Sequence, residues 1–433
     1  MARDVNPPRG MRDFLPAEKA RREHALATIR RSYAAHGFDE IETPVVEDAA
    51  RLHSGLGGDN EKLAFGILRR GLDAEAVAQA AAADDIASLT DLGLRFDLTV
   101  PLARFYATHR AELPGVFKSI QIAPVWRAER PQKGRYRQFV QCDIDIIGEA
   151  GPLAEIELLT ATADTLRTLG ISGCRIRINH RSILRKLVAS WQIAEADYER
   201  ALITIDKEDK IGVDGVVAEL VEQGILASER ASSARENLAG LPNDGWNLLH
   251  GGDEGGADVP WLDVEAYAQL RAIRDAVAAV APELPLVFSH NLVRGMGYYT
   301  GAIFEIQHPG LGYSLGGGGR YDGMIGRFLG TDVPATGFSI GFERIVDLAQ
   351  TPADAVADAV VLVHDRDVSP ARLVALKTAL IARGKRVRLE RRTKNLKGLL
   401  ERAAASGYGA FTLVGAETVA VEQLEFKPLV ERH

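Results

Sequence analysis

Residues 117–148 read FKSIQIAPVWRAERPQKGRYRQFVQCDIDIIG, and they decide the fold. Two β-rich runs flank a polar stretch around RPQKG, which predicts a long antiparallel hairpin with a charged tip. Side chains two apart on a strand share a face, so Arg127 and Glu129 point one way. An isolated Arg-x-Glu is ordinarily a surface ion pair. Here Arg130, Lys133, Arg135, Arg137 and Phe139 follow, and several cations beside a ring suit a polyphosphate and a purine. Gln141, Asp143 and Asp145 also share a face; they line either a polar pocket or a solvent surface.

Upstream of the hairpin, residues 17–36 predict an amphipathic helix with Leu26, Ile29 and Tyr33 on one face and Gly37 as its stop. FDEIETPVV (38–46) suits an edge strand interrupted by Pro44. The alanine-rich run 76–87 predicts a helix in an insertion, and LRFDLTVPLARF (94–105) a strand running into a helix. Downstream, Leu153, Ile156, Leu159, Ala163 and Leu166 form a helical stripe ended by Gly170. Helical patterns from about 180 to 265, with the loose segment LPNDGWNLLHGGDEGGADVP (241–260), predict an inserted unit. Strands return in LVRGMGYYTGAIFEIQ (292–307) and YSLGGGGRYDGM (313–324), and TGFSIGFERIVDLAQ (336–350) reads as a strand entering a helix. Beyond a linker at 351–357, residues 358–433 alternate strand, helix, strand, helix, strand, the pattern of a small α/β unit. The expected class is α+β: a mixed domain over 1–350, rich in antiparallel hairpins and carrying the insertion, followed by the α/β domain.

A length of 433 residues exceeds one ordinary core. Hydrophobic residues at 46% and charged residues at 26% give a soluble balance. No apolar run is long enough for a bilayer span, and residues 1–12 lack the apolar stretch of a signal peptide. Cys142 and Cys174 are too few for a disulfide framework and not at metal-ligand spacing, so the cytoplasm is the expected compartment. The net charge of −7 argues mildly against nucleic acid, but partners feel local fields. From Arg372 to Arg402 eleven basic residues face two acids, Glu390 and Glu401, a net +9. That segment is either a solvated helix face or a phosphate-binding patch.

Taken singly, the glycines of GGGGRYDG (316–323) could mark a turn, and Arg294 or Arg344 a surface cation. Their combination is more specific. WRAE (126–129) with its basic loop, and the late GFSIGFER (337–344), resemble motifs 2 and 3 of class II aminoacyl-tRNA synthetases. Pro44 after a long helix resembles motif 1, which builds a dimer interface in that class. Within the class, RGMRDFLP (9–16), LRFDLTVPLAR, the hairpin, LVRGMGYYTG and GGGGRYDGM are similar to histidyl-tRNA synthetases. The resemblance covers nearly the whole chain.

The resemblance implies a class II catalytic domain with a C-terminal anticodon-binding domain. It implies ATP and Mg²⁺ as reactants, histidine and tRNA(His) as partners, and a homodimer. Asp97, Thr99 and Gln141 would hold the α-amino group. Asp145 and Tyr299 would face the imidazole, with Tyr298 and Tyr321 completing the histidine pocket. Arg127 would bind the carboxylate and α-phosphate, and Arg294 would be the second cation at the reacting centre. Glu129 would read the adenine amino group, Phe139 would stack on its ring, and Arg344 would bind the γ-phosphate. Gln132 and Arg135 would meet the acceptor end of the tRNA, and Arg391, Arg392 and Lys394 its anticodon region. Gly297 departs from the family's usual acidic residue, and Asp97 and Asp145 stand where many bacterial members have Glu. Rival readings are a non-catalytic relative that regulates ATP phosphoribosyltransferase, and a class II synthetase for another amino acid. The basic loop and the +9 tail oppose the first; LVRGMGYYTG opposes the second.

Overall fold

The computed structural model describes residues 5–53, 63–131, 134–240, 246, 259, 261–294, 298–350 and 358–429. Two compact units divide the chain: Met1–Arg12 with Ala27–Ala349, and Asp13–Leu26 with Gln350–His433.

The first elements are α1 (Pro16–Ala35), β1 (Asp39–Glu40), β2 (Val46–Asp48), α2 (Ala49–His53), β3 (Phe65–Leu68), α3 (Ala74–Ala82) and β4 (Thr90–Leu94). Ile29 and Tyr33 are fully buried at helical spacing. The stretch expected as one strand over 38–46 is instead two short strands in different sheets: β1 pairs with the hairpin and β2 with β4. Pro44 cannot donate to a ladder. The chain there is held by a side chain, Arg95, whose Nη1 donates to the carbonyls of Thr43 (2.8 Å) and Pro44 (3.3 Å). The alanine-rich helix α3 is shorter than expected and is capped by Asp73, which accepts from the Ala76 amide at 2.8 Å.

The central part comprises α4 (Thr99–His109), β5 (Phe117–Trp126), β6 (Gln138–Ile147), α5 (Leu153–Thr168), β7 (Arg175–His180), then helices α6 (Arg181–Ser190), α7 (Tyr198–Ile205), α8 (Glu208–Glu222), α9 (Ala231–Ala239) and α10 (Val264–Val280). It continues through β8 (Leu286–Phe288), β9 (Ala302–Gln307), β10 (Gly316–Arg320), α11 (Asp322–Leu329), β11 (Ala335–Gly341) and α12 (Phe342–Ile345). An eight-stranded sheet runs β1-β5-β6-β11-β10-β9-β7-β8. Its interior pairs are antiparallel, and only the edge pairs β1–β5 and β7–β8 are parallel.

Three expectations need correction. β5 ends at Trp126, so Arg127 and Glu129 lie just beyond it, in the loop. Among the described residues of 292–307 only Ala302–Gln307 is strand, and Arg294 has φ +41°, which no strand allows. In α5 Leu159, Ala163 and Leu166 of the expected stripe are buried, but Leu153 is 52% exposed and the buried face takes in Ala154, Glu155 and Leu158 as well. Glu155 is there because of a buried ion pair. Arg320 Nε donates to Glu155 Oε1 at 2.7 Å and its Nη2 to Oε2 at 2.8 Å, which draws Glu155 inward.

In the second unit, β12 (Ala359–His364), α13 (Pro370–Ala382), β13 (Arg386–Arg391), α14 (Leu396–Ala405), β14 (Ala410–Val414) and β15 (Lys427–Pro428) form a sheet in the order β13-β12-β14-β15. β12 is parallel to both neighbours and apolar on both faces. Val360 and Leu362 pack with Leu373, Leu376 and Leu380 of α13, and Val361 and Val363 with Leu399 and Ala403 of α14. Each such burial contributes about 1.5–3 kcal/mol, which explains the continuous AVVLV run.

Candidate active site

A cavity of about 410 Å³ opens on the eight-stranded sheet. Its floor comes from β6, β10 and β11, and its rim from the loops after β5 and before β9. Glycines make room for it. A Cβ on Gly317 would lie 1.7 Å from Arg294 Nη1, and one on Gly337 1.9 Å from Asp145 Oδ1. The glycine run of β10 is therefore a strand, and a side chain at 317 would displace the guanidinium that crosses it.

One end of the cavity is acidic. Asp97, Asp143 and Asp145 are each at most 6% exposed. Burial pushes Asp145 up to about 7, against the donated hydrogen bond from the Tyr321 hydroxyl (2.6 Å), and the charge of Asp97 adds to the rise. Burial likewise raises Asp97 to about 6, although the Val100 amide donates to it at 3.2 Å and Arg127 lies near. Asp143 is raised further, by burial and then by the charge of Asp145. Gln141 Nε2 donates to Asp143 Oδ2 (3.2 Å) and Ser339 Oγ (3.3 Å). Its buried Oε1 has no hydrogen-bond partner among the described residues. Buried acceptors and carboxylates without a cation are costly; the arrangement suits a ligand that brings its own positive charge and donors. Thr99, Tyr298 and Tyr299 line the same space.

The other end is basic. Arg127 Nε donates to the Phe96 carbonyl at 3.0 Å, and its guanidinium carbon lies 5.0 Å from the Phe139 ring centre. Arg294 Nη1 donates to the carbonyls of Phe304 (3.3 Å) and Gly316 (3.2 Å) and stands 3.6 Å from Glu305. Arg344 reaches the Ser314 carbonyl and lies 5.4 Å from the Tyr313 ring centre. Burial and then the charge of Arg294 lower Arg344 from its ordinary value, with Tyr313 and Glu305 opposing the fall. Glu129 pairs with Arg135 across the rim. Glu343 joins Arg12 of the N-terminal segment and accepts from the Val140 amide at 3.2 Å, tying the hairpin to α12.

The histidyl-tRNA synthetase family model matches residues 10–345. A histidine–tRNA ligase from Leifsonia xyli subsp. xyli (strain CTCB07) is 61% identical, with all of both chains aligned. The chain belongs to the histidyl-tRNA synthetase family. The crystal structure of histidyl-tRNA synthetase from Nostoc sp. PCC 7120 superposes with a TM-score of 0.74 at 26% identity, over 98% of this chain and 95% of that one. A structure described as an ATP phosphoribosyltransferase regulatory subunit/histidyl-tRNA synthetase from Bacillus halodurans gives 0.72 at 20%, over 96% and 100%. At that identity the likeness carries the fold alone.

Against this family frame, the cavity gathers Asp97, Thr99, Arg127, Glu129, Arg135, Phe139, Gln141, Asp145, Arg294, Tyr298, Tyr299, Tyr321 and Arg344. Gln132 and Gly297 lie outside the described residues. Arg391, Arg392 and Lys394 are in the second unit. Arg391 and Lys394 are exposed without an ion-pair partner among the described residues, while Arg392 reaches Asp365 at 3.4 Å. Much of the +9 segment is internally satisfied: Arg388 pairs with Glu390 (2.6 Å) and Lys385 with Asp358 (2.7 Å), and Arg386 lies over Tyr408 (4.6 Å). Sequence reasoning gave no role to Asp143, Glu305, Ser339 or Glu343, all of which line the cavity. Asp143 carried a signal, its alternation with Gln141 and Asp145, and Ser339 and Glu343 lie within GFSIGFER; Glu305 reaches the site through strand order.

Proposed function

We propose that this cavity activates histidine with ATP to histidyl-adenylate and then passes the histidyl group to the 3′ end of tRNA(His), making the protein a histidine–tRNA ligase. The observation that carries the reading is the juxtaposition, in one cavity, of an acidic end (Asp97, Asp143, Asp145) and a basic end (Arg127, Arg294, Arg344). An amino acid with a cationic amino group and a donor ring fits the first, and a nucleoside triphosphate fits the second.

Asp97, Thr99 and the free Oε1 of Gln141 receive the α-ammonium. Asp145, held by Tyr321, accepts from the imidazole, with Tyr298 and Tyr299 closing the pocket. The carboxylate then faces Arg127. It attacks the α-phosphate, the bond to the bridging oxygen breaks, and pyrophosphate leaves. Negative charge grows on the phosphoryl oxygens, and fixed guanidinium groups stabilise it without reorganising. Arg127 and Arg294 act at the reacting centre and Arg344 on the γ-phosphate. No protein nucleophile is needed, so positioning supplies much of the acceleration. Magnesium enters as the counter-ion of the nucleotide, part of the substrate, and adds positive charge on the phosphates. Phe139 stacks on adenine, and Glu129 exchanges Arg135 for the adenine amino group. Gln132 and Arg135 meet the acceptor end, and Arg391, Arg392 and Lys394 the anticodon region. In the second step the terminal ribose hydroxyl attacks the adenylate carbonyl and AMP leaves.

The protein is further assigned here to the cytoplasm, as a homodimer. Among the described residues no helix is long and apolar enough to cross a membrane. Charging assays with labelled histidine and tRNA(His) test the function. Histidyl-tRNA should accumulate in proportion to enzyme, and a well-folded preparation that charges no tRNA would refute it. Sedimentation of the intact protein tests the dimer.

A further inference from the structure

Arg294 has a backbone strain that the proposed reaction does not explain. Its φ of +41° is a conformation that non-glycine residues rarely adopt. Such strain, about 1–3 kcal/mol, persists only where surrounding contacts over-determine it. Those contacts come from two sides. On one, Asn179 at the end of β7 donates Nδ2 to the carbonyls of His290 and Leu292, both at 3.1 Å. On the other stands the start of α8. Glu208 receives His290 Nε2 at 3.1 and 3.2 Å from its two oxygens. Asp209 accepts from Asn291 Nδ2 at 2.9 Å. The two acids thus hold successive residues of the segment that ends in Arg294.

The network is buried where it matters. His290 is 2% exposed, and its other ring nitrogen has no hydrogen-bond partner among the described residues, so Glu208 is the ring's polar anchor. Arg177 of β7 closes the circuit: it donates to Asp209 Oδ2 at 3.1 Å and lies 3.9 Å from Glu305, the same carboxylate that stands 3.6 Å from Arg294. Glu208 and Asp209 themselves do not line the cavity, yet they hold the backbone from which Arg294 crosses Gly317.

We propose that Glu208 and Asp209 are positioning residues for Arg294, with Glu208 the principal one: they hold residues 290 and 291 so that the guanidinium points at the reacting phosphate. The inference rests on the reading of Arg294 as a cation at the reacting centre. Because α8 follows β7 and lies among the helices between β7 and β8, the clamp also makes that helical region a determinant of catalytic geometry and more than a decoration.

A double-mutant cycle tests it, read by histidine-dependent ATP–pyrophosphate exchange with the whole protein. Glu208→Ala should lower kcat by about 10- to 100-fold, the cost of a misplaced group, with the KM for histidine changed little. Glu208→Gln keeps an acceptor for His290 and should restore most of the rate. In an Arg294→Ala background, Glu208→Ala should cost less than about threefold more, because residues acting through one group are not additive. Asp209→Ala, at a more exposed position, supplies the same cycle if Glu208→Ala does not fold. Equal losses in both backgrounds, or a change confined to KM, would overturn the clamp while leaving Arg294 in its role. Near-normal exchange in Arg294→Ala alone would overturn the role itself and the clamp with it.

Discussion

Asp145→Asn should make the free protein more stable above neutral pH while crippling its use of histidine. Burial lifts the Asp145 carboxyl from 3.8 to about 7, roughly three pH units at about 1.4 kcal/mol each. The folded state therefore binds this proton more tightly than the unfolded chain does. The group's contribution to stability is complete below pH 3.8 and is lost as pH rises through about 7. Above that the folded state carries a penalty of ~4 kcal/mol that the amide avoids, since asparagine keeps an oxygen to accept from Tyr321. Linkage gives an advantage for the variant that widens by about 2–3 kcal/mol between pH 5 and pH 8 and then levels. With an unfolding entropy of ~2.1 cal/mol/K per residue over a unit of this size, that is a shift of ~4 °C. Thermal unfolding of both proteins across that range measures it directly. The same change removes the anionic acceptor for the ring, worth about 1.5–3 kcal/mol, so the KM for histidine should rise roughly 10- to 150-fold. A stability gap that is flat with pH, or a variant weaker than its parent at pH 8, would refute the assignment of Asp145 as a carboxyl whose proton is held by burial.

Other outcomes follow from the same geometry. Gly317→Ala puts a Cβ 1.7 Å from Arg294 Nη1 and 2.4 Å from the Phe304 carbonyl; it should cost about 1–3 kcal/mol of stability and depress exchange more than histidine binding, measured by calorimetry beside kinetics. Gly337→Ala meets Asp145 Oδ1 at 1.9 Å and should do the reverse, weakening histidine binding first. Reversing Arg391 and Arg392 to Glu should raise the KM for tRNA, with a smaller salt dependence, and leave ATP–pyrophosphate exchange unchanged; loss of exchange would count against separate roles for the two units.

The hairpin and the second unit were legible because their patterns depend on local rules. Alternation in FKSIQIAPVW and RQFVQCDIDII gave β5 and β6, and the continuous apolar AVVLV gave a strand covered on both faces. What failed was whatever a distant partner decides. Leu159, Ala163 and Leu166 of α5 are buried as their spacing predicts, but Glu155 joins that face because Arg320, 165 positions away, pairs with it. Residues 292–294 were read as strand because nothing in LVRG announces Glu208 and Asp209, which hold His290 and Asn291 just before it. Pro44 was expected at a strand edge and lies outside any strand; the break around it depends on Arg95 capturing the carbonyls of Thr43 and Pro44. Among the site residues, those within quoted motifs converge on the cavity, Ser339 of GFSIGFER included; Glu305 reaches it because β9 flanks β10.

The central claim is that one cavity selects histidine and activates it with ATP. ATP–pyrophosphate exchange by the purified protein, run with each of the twenty amino acids in turn, tests that claim most directly. The account predicts exchange with histidine alone. Exchange with a different amino acid, or none with any from a folded protein that still binds histidine, would contradict it.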